Sequence, residues 1–183
     1  MKKTSHTFLC VVLAILLVAG GLGFGARRGW QEEKDKVQAA YASETGLKAV
    51  LELRAADAHN LQVVAGRHLD ASHPLIKALN AARETLLRQD ASLSQKYRAD
   101  QDLSRAVEQL EKELSTLPSM KDSVRDQNYL TTLTGEMNSL SQNAAIQAYN
   151  QAAEDYNRRR QMSLSGFFAG FMGVGDAQVF AAE

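Results

Sequence analysis

Cysteine occurs once in the 183 residues, at position 10. That excludes an intrachain disulfide and any cysteine-cluster metal site, and it is compatible with either side of a membrane. Proline occurs twice, at positions 74 and 118. Between Gly29 and Gly166, glycine is confined to Gly46, Gly66 and Gly135. Ala, Leu, Gln, Glu, Lys and Arg dominate that interval and lose little side-chain freedom in a helix, so the chain reads all-α. Neither sign of charge is in excess, with 21 basic and 21 acidic residues. Without a basic surplus to meet phosphates, nucleic acid is not an expected partner. No nucleophile–base pair, phosphate loop or metal motif is visible. The expectation is therefore a protein that is not an enzyme, with no catalytic residue, cofactor or metal. The length suits one domain of ordinary size.

One long hydrophobic run is present. Residues 1–7 form a short basic start with Lys2 and Lys3, and Phe8 to Ala26 carries no charge before Arg27 and Arg28. Nineteen helical residues rise about 28 Å, close to the hydrocarbon thickness of a bilayer. Residues 8–26 are thus expected to be a retained transmembrane anchor that meets the lipid bilayer. The competing reading is a signal peptide cleaved near "GLGFGA". Cys10 precedes the apolar run, the reverse of a lipoprotein signal. Basic residues flank both ends, but Glu32, Glu33 and Asp35 follow only the second. This favours a single pass with the body outside the cytoplasm.

The body, residues 30–163, is punctuated by its two prolines. Each sits in a turn-like stretch, "DASHPL" and "STLPSMKD", and proline is tolerated in the first turn of a helix. Ser72 and either Ser115 or Thr116 are the expected N-caps. The divisions predict three long helices, over about 30–71, 74–116 and 119–163, in an antiparallel bundle. In the middle piece, Leu75, Leu79, Ala82, Leu86, Gln89, Leu93, Lys96, Asp100, Leu103, Val107, Leu110, Leu114 and Leu117 hold one heptad register. The polar exceptions begin at Gln89, so a break near 89–94 would make four helices. The first piece gives Trp30, Val37, Ala40, Glu44, Leu47, Leu51, Arg54, Ala58, Leu61, Ala65 and His68. The third gives Leu130, Leu133, Met137 and Leu140, then drifts by one residue to Ala145, Tyr149, Ala152 and Tyr156.

That last stretch, "YNQAAEDYN", repeats Tyr-Asn after seven residues, close to two helical turns, so both tyrosines share a stripe. A buried tyrosine needs a partner for its hydroxyl. Folding the chain at its two turns sets Tyr149 level with Leu87, and Leu87 level with Asp57. The reading is a structural polar core of Arg54, Asp57, Asn60, Tyr149, Asn150, Tyr156 and Asn157, with Tyr149 reaching Asp57 or Asn60, and Tyr156 near Val64 and Leu79. A buried network that fixes register is preferred over a ligand site.

Other candidates read blandly. His59, His68 and His73 show no ligand spacing, and His68 is expected to be an ordinary, partly exposed histidine. The same folding sets Glu44, Asp100 and Glu136 at one level, expected to be ion-paired with Lys48, Lys96 and Arg98 rather than to hold a cation. Residues 164–183 form a Gly/Phe-rich tail, too short to span a bilayer. It is expected at the end of the bundle away from the anchor, covering the open core or presenting an apolar patch.

These residues together resemble the LemA family of bacterial membrane-anchored proteins. "RAADAHNLQVVAGRH" (residues 54–68) is similar to the family's first-helix stretch, "YNQAAEDYN" to its Tyr-Asn helix, and "GFFAGFMGVGDAQVF" (residues 166–180) to its Gly/Phe-rich tail. "VQAAY" at residues 37–41 takes the place of a Val-x-x-Ala-Trp element. His59 stands where the family commonly has proline, and no Phe-Pro follows the second Tyr-Asn, which marks a divergent member. The resemblance implies a helical bundle on one anchor in the bacterial inner membrane, without an agreed enzymatic activity. The expected role is a scaffold or protein-interaction protein of the cell envelope, with an envelope protein as partner. The alternative is a ligand- or ion-binding sensor using the polar core around Asp57 and Tyr149.

Overall fold

A computed structural model describes residues 2–182, with side chains described except at residues 2–11, 14–16, 18 and 19. The short basic start and much of the anchor expected over residues 8–26 lie outside the described side chains. Among the described residues, no helix is long and apolar enough to cross a membrane. The described chain is helical, with no strand: α1 (Lys2–Ala42), α2 (Leu47–Ala65), α3 (Pro74–Leu87), α4 (Leu93–Thr116), α5 (Pro118–Lys121), α6 (Val124–Ser141), α7 (Ala144–Met162) and α8 (Leu164–Phe171).

The all-α bundle is as the composition implies, but each of the three long helices expected is broken. Ser43 to Gly46 separates α1 from α2, and a Cβ on Gly46 would lie 2.4 Å from the Ala40 carbonyl oxygen. Only glycine permits that close approach. The middle piece divides at residues 88–92, the four-helix alternative, because Ser92 and Gln95 form a capping box that starts α4 afresh. The third piece breaks at residues 142–143, where the Asn143 side chain accepts from the Ala145 amide. The caps also differ from expectation. His73, not Ser72, caps α3 by accepting from Leu75 N, with Pro74 in the first turn. Leu117, rather than Ser115 or Thr116, precedes α5 and provides no side-chain cap.

Two compact units result: Met1–Ala39 with Ala152–Ala177, and Ala40–Gln151 with Gln178–Glu183. In the second, α2 packs on α3 and α6, and α4 packs on the same two, so four helices enclose one core. Short connections make sequential neighbours antiparallel. The buried stripe of α2 is Leu47, Leu51, Ala58, Leu61 and Ala65, with Arg54 among them. Its partners include Leu79 and Leu86 on α3, Leu103, Leu110 and Leu114 on α4, and Leu130 and Met137 on α6. Lys96 donates from Nζ to the Leu86 carbonyl, 2.7 Å away, satisfying one of the orphan acceptors at the end of α3. Burial lowers the pKa of that ammonium, with the Glu52 carboxylate opposing.

In the first unit, α8 lies with α1 and the end of α7. This corrects the tail's expected place away from the anchor: Trp30 Nε1 donates to Ser165 Oγ at 3.2 Å. α8 closes with Gly173 in the left-handed region (φ +88°). Gly173 N donates to Gly170 O and Val174 N to Ala169 O, both at 3.0 Å. These are the two bonds of a Schellman ending, which needs a residue free to adopt positive φ.

Candidate interaction site: a paired tyrosine–asparagine clamp

The Tyr-Asn repeat does not face α2. It grips the tail. In the second unit, Tyr149 Oη donates to the Gln178 carbonyl at 2.7 Å. Asn150 holds one residue by both backbone groups, its Nδ2 donating to Phe180 O (3.1 Å) and its Oδ1 accepting from Phe180 N (2.9 Å). The first unit repeats the arrangement. Tyr156 Oη donates to Gly175 O at 3.3 Å. Asn157 donates to Ala177 O (2.9 Å) and accepts from Ala177 N (2.7 Å). A primary amide carries a donor and an acceptor side by side, so it pairs with an extended backbone much as a neighbouring strand does.

The seven-residue spacing follows from this pairing. Seven helical residues rise about 10.5 Å, and three extended residues cover about 10 Å. On α7 the asparagines are seven apart, and the residues they hold, Ala177 and Phe180, are three apart. Burial on the tail has the same step of three: Val174, Ala177 and Phe180 are buried, while Gly175, Asp176 and Gln178 are exposed.

Aromatic neighbours complete each half. Tyr149 meets Tyr41 edge-on, with ring centres 5.8 Å apart, and Tyr97 meets Phe180 at 5.4 Å. The Gln178 side chain accepts from Leu93 N at 3.1 Å. In the first unit Tyr156 packs edge-on against Trp30 at 5.8 Å. Lys34 Nζ donates to Gly175 O (3.1 Å), and Arg160 Nε donates to Asp176 Oδ1 (3.0 Å). Burial pushes the Tyr149 hydroxyl up to about 12, with Tyr41 adding to the effect. Burial also raises Tyr156. Both hydroxyls therefore stay protonated, as donors must, at any ordinary pH.

The polar core expected as one set is thus divided. The Tyr149 hydroxyl donates to Gln178 rather than to Asp57 or Asn60, and Tyr156 belongs to the first compact unit while Val64 and Leu79 belong to the second. Arg54, 1% exposed, belongs to a separate network in the four-helix core. Its Nε lies 2.6 Å from Asp100 Oδ1. The two charges form a buried ion pair. Its other nitrogens donate to the Met137 carbonyl and to Ser104 Oγ. Burial raises the Asp100 carboxyl, and Arg54 opposes the rise. Asp57 is half-buried and Asn60 exposed. Burial raises Asp57, with Glu136 adding to the rise and Arg54 opposing it.

The carboxylate layer does not form either. Glu44 sits in the exposed α1–α2 turn, Glu136 is exposed, and Asp100 is paired with Arg54. Among the described residues, no cluster of three potential metal ligands occurs. His59 is exposed and His73 lies 3.1 Å from Glu113. The His68 side chain is buried, 5% exposed, contrary to expectation: its ring nitrogens meet Ser119 Oγ at 3.0 Å and Asp126 Oδ2 at 3.1 Å. Burial would raise Asp126, but hydrogen bonds from His68, Arg67 and Ser123 outweigh it and hold that carboxyl below the usual range.

Sequence reasoning singled out the tyrosines and asparagines but missed what they hold. Part of the signal was present: in the glycine-broken tail, Val174, Ala177 and Phe180 stand at every third position. A groove of about 780 Å³, bordered by Arg54, Ser104, Glu111, Thr134 and Asn138, was not foreseen. The LemA family model matches residues 36–183. No curated protein and no solved structure matches the chain.

Proposed function

Because this chain belongs to the LemA family, we propose that it is a membrane-anchored, non-catalytic protein of the bacterial cell envelope with a scaffold or interaction role. The observation that carries this is the clamp. Its asparagines address backbone N–H and C=O groups and its tyrosines are held as neutral donors, an arrangement suited to holding chain rather than transforming substrate. Phe8 to Ala26 supplies the anchor, on the strength of its nineteen charge-free residues. The body lies outside the cytoplasm, by the acid-poor flank on the other side.

A ligand-sensing reading draws on one observation, the groove beside Arg54. It does not draw on Asp57 and Tyr149, which have separate surroundings.

The test places one thiol at an exposed site. Asp90, with 82% of its side chain exposed, becomes cysteine in a Cys10→Ala background. A membrane-impermeant maleimide is expected to label it in intact cells, and a maleimide photocrosslinker at the same position to join it to an envelope protein. Labelling only after lysis would reverse the topology. Labelling without any adduct to another protein would remove the interaction role.

A further inference from the structure

α8 is built inside out for water. Its buried residues are the small ones, Gly166 and Ala169. Its large apolar residues face outward: Leu164 is 82% exposed, Phe167 61%, Phe168 47% and Phe171 83%, with Met172 following at 43%. A Cβ on Gly166 would lie 1.9 Å from the Arg160 carbonyl oxygen. The seat of the helix therefore requires glycine, and the aromatic face is turned out by that packing. Phe167 meets Phe168 edge-on at 5.8 Å and Phe171 at a tilt at 5.7 Å, making one continuous ridge. A ridge of that size on a surface marks a covered site.

What covers it follows from where α8 lies. Ser165 meets Trp30, and Met172 reaches Gly23, whose added Cβ would stand 3.9 Å from Met172 Cγ. Both intervals, 23 to 30 on α1 and 165 to 172 on the tail, are seven residues. α8 therefore runs antiparallel to α1, back toward the charge-free segment. Gly23 is three residues inside Ala26, so Met172 stands about 4.5 Å inside the last apolar residue at 1.5 Å per residue. On α1 the same level carries Leu22, 66% exposed, and Phe24, 63% exposed, which continue the apolar surface. Arg27, Arg28 and Trp30 follow immediately, the residue types that settle at lipid headgroups.

We infer that α8 is an interfacial foot: running along α1, it enters the headgroup–acyl boundary of the bilayer crossed by the anchor with its C-terminal end, inserting Phe171 and Met172 and setting Phe167 and Phe168 level with Arg27 and Arg28. The partner is the lipid surface, with anionic headgroups opposite Arg27 and Arg28. The level of Met172 lies at the shallow edge of the burial typical of interfacial helices, about 5–10 Å. The inference rests on the anchor reading above. It adds a function to the clamp: within the first unit, Tyr156 and Asn157 hold the segment that follows the foot.

The test uses the full chain, Cys10→Ala, in phosphatidylethanolamine–phosphatidylglycerol vesicles, with an environment-sensitive fluorophore on Phe171→Cys or on the exposed control Glu154→Cys. The label at 171 is expected to be blue-shifted, shielded from iodide, and quenched several-fold more by shallow bromolipids than the label at 154. Flotation after carbonate extraction reports the anchor separately. If the chain floats but both labels quench alike with iodide, the foot is in water and the inference falls alone. If position 171 is shielded but insensitive to bromolipid, with energy transfer between labelled copies, a second chain covers the ridge instead. If the chain fails to float, the anchor and the foot fall together.

Discussion

Arg54→Met is expected to destabilise the four-helix unit by about 3–5 kcal/mol, the usual cost of removing one partner of a buried ion pair. The side chains of Arg54 and Asp100 are 1% and 4% exposed, so the carboxylate left without its partner is buried. Ser104 and the Met137 carbonyl lose their donors as well. The double variant Arg54→Met/Asp100→Leu should recover most of the loss, because two apolar side chains no longer bury a charge. The pH dependence carries a sign. Burial raises the folded pKa of Asp100, and Arg54 is what opposes it. With Arg54 gone, the carboxyl rises further. A group with a raised folded pKa contributes stability that is present below its unfolded value, near 3.8, and is lost as pH rises through the folded one. The deficit of Arg54→Met should therefore shrink on acidification. Urea unfolding of the full chain in mild detergent, followed by circular dichroism at neutral and acidic pH, checks both statements. A deficit below about 1 kcal/mol at neutral pH would mean that the pair is solvated.

Tyr156→Ala is expected to cost about 3–5 kcal/mol, as for other large aromatic truncations. Tyr156 is fully buried, its ring meets Trp30, and its hydroxyl meets Gly175. Tyr156→Phe keeps the ring and gives up one hydrogen bond, so about 0.5–1.5 kcal/mol is expected. The contrast separates packing from hydrogen bonding at one position. Limited proteolysis of the tail, alongside Trp30 fluorescence, reads the local effect: Tyr156→Ala should expose the tail to cleavage and shift the tryptophan emission to the red. Wild-type behaviour from both variants would place Tyr156 on the surface.

Much of this architecture was legible in the sequence, and the errors have physical reasons. Leu47, Leu51, Ala58, Leu61 and Ala65 were read as a buried stripe and are buried. The stripe did not show that the helix begins at 47, because heptad register continues across a tight turn. Gly46 was the sign of that turn. The one-residue drift after Leu140 was itself the mark of the break at residues 142–143, since a stripe that changes phase has changed helix. In the middle piece the capping box of Ser92 and Gln95 was readable beside the polar exceptions already noted. The candidate site was less legible. Reflection about the turns places residues of equal level together only if each piece is one straight helix. With the first and third pieces broken, Tyr149 meets the tail and not Asp57. His68 was read as an ordinary, partly exposed histidine because its partner, Asp126, lies 58 residues away, beyond any local pattern.

The central claim is that Asn150 and Asn157 hold the tail by its backbone. Amide hydrogen exchange at Ala177 and Phe180, measured by NMR on the full chain in detergent, tests it most directly. Each of these amides donates to one asparagine Oδ1. Both should exchange slowly in the wild type. Asn157→Ala should speed Ala177 by about tenfold or more, since two hydrogen bonds of about 0.5–1.5 kcal/mol each are removed, and should affect Phe180 less. Asn150→Ala should do the reverse. Wild-type exchange at both amides as fast as in an unstructured peptide would contradict the account.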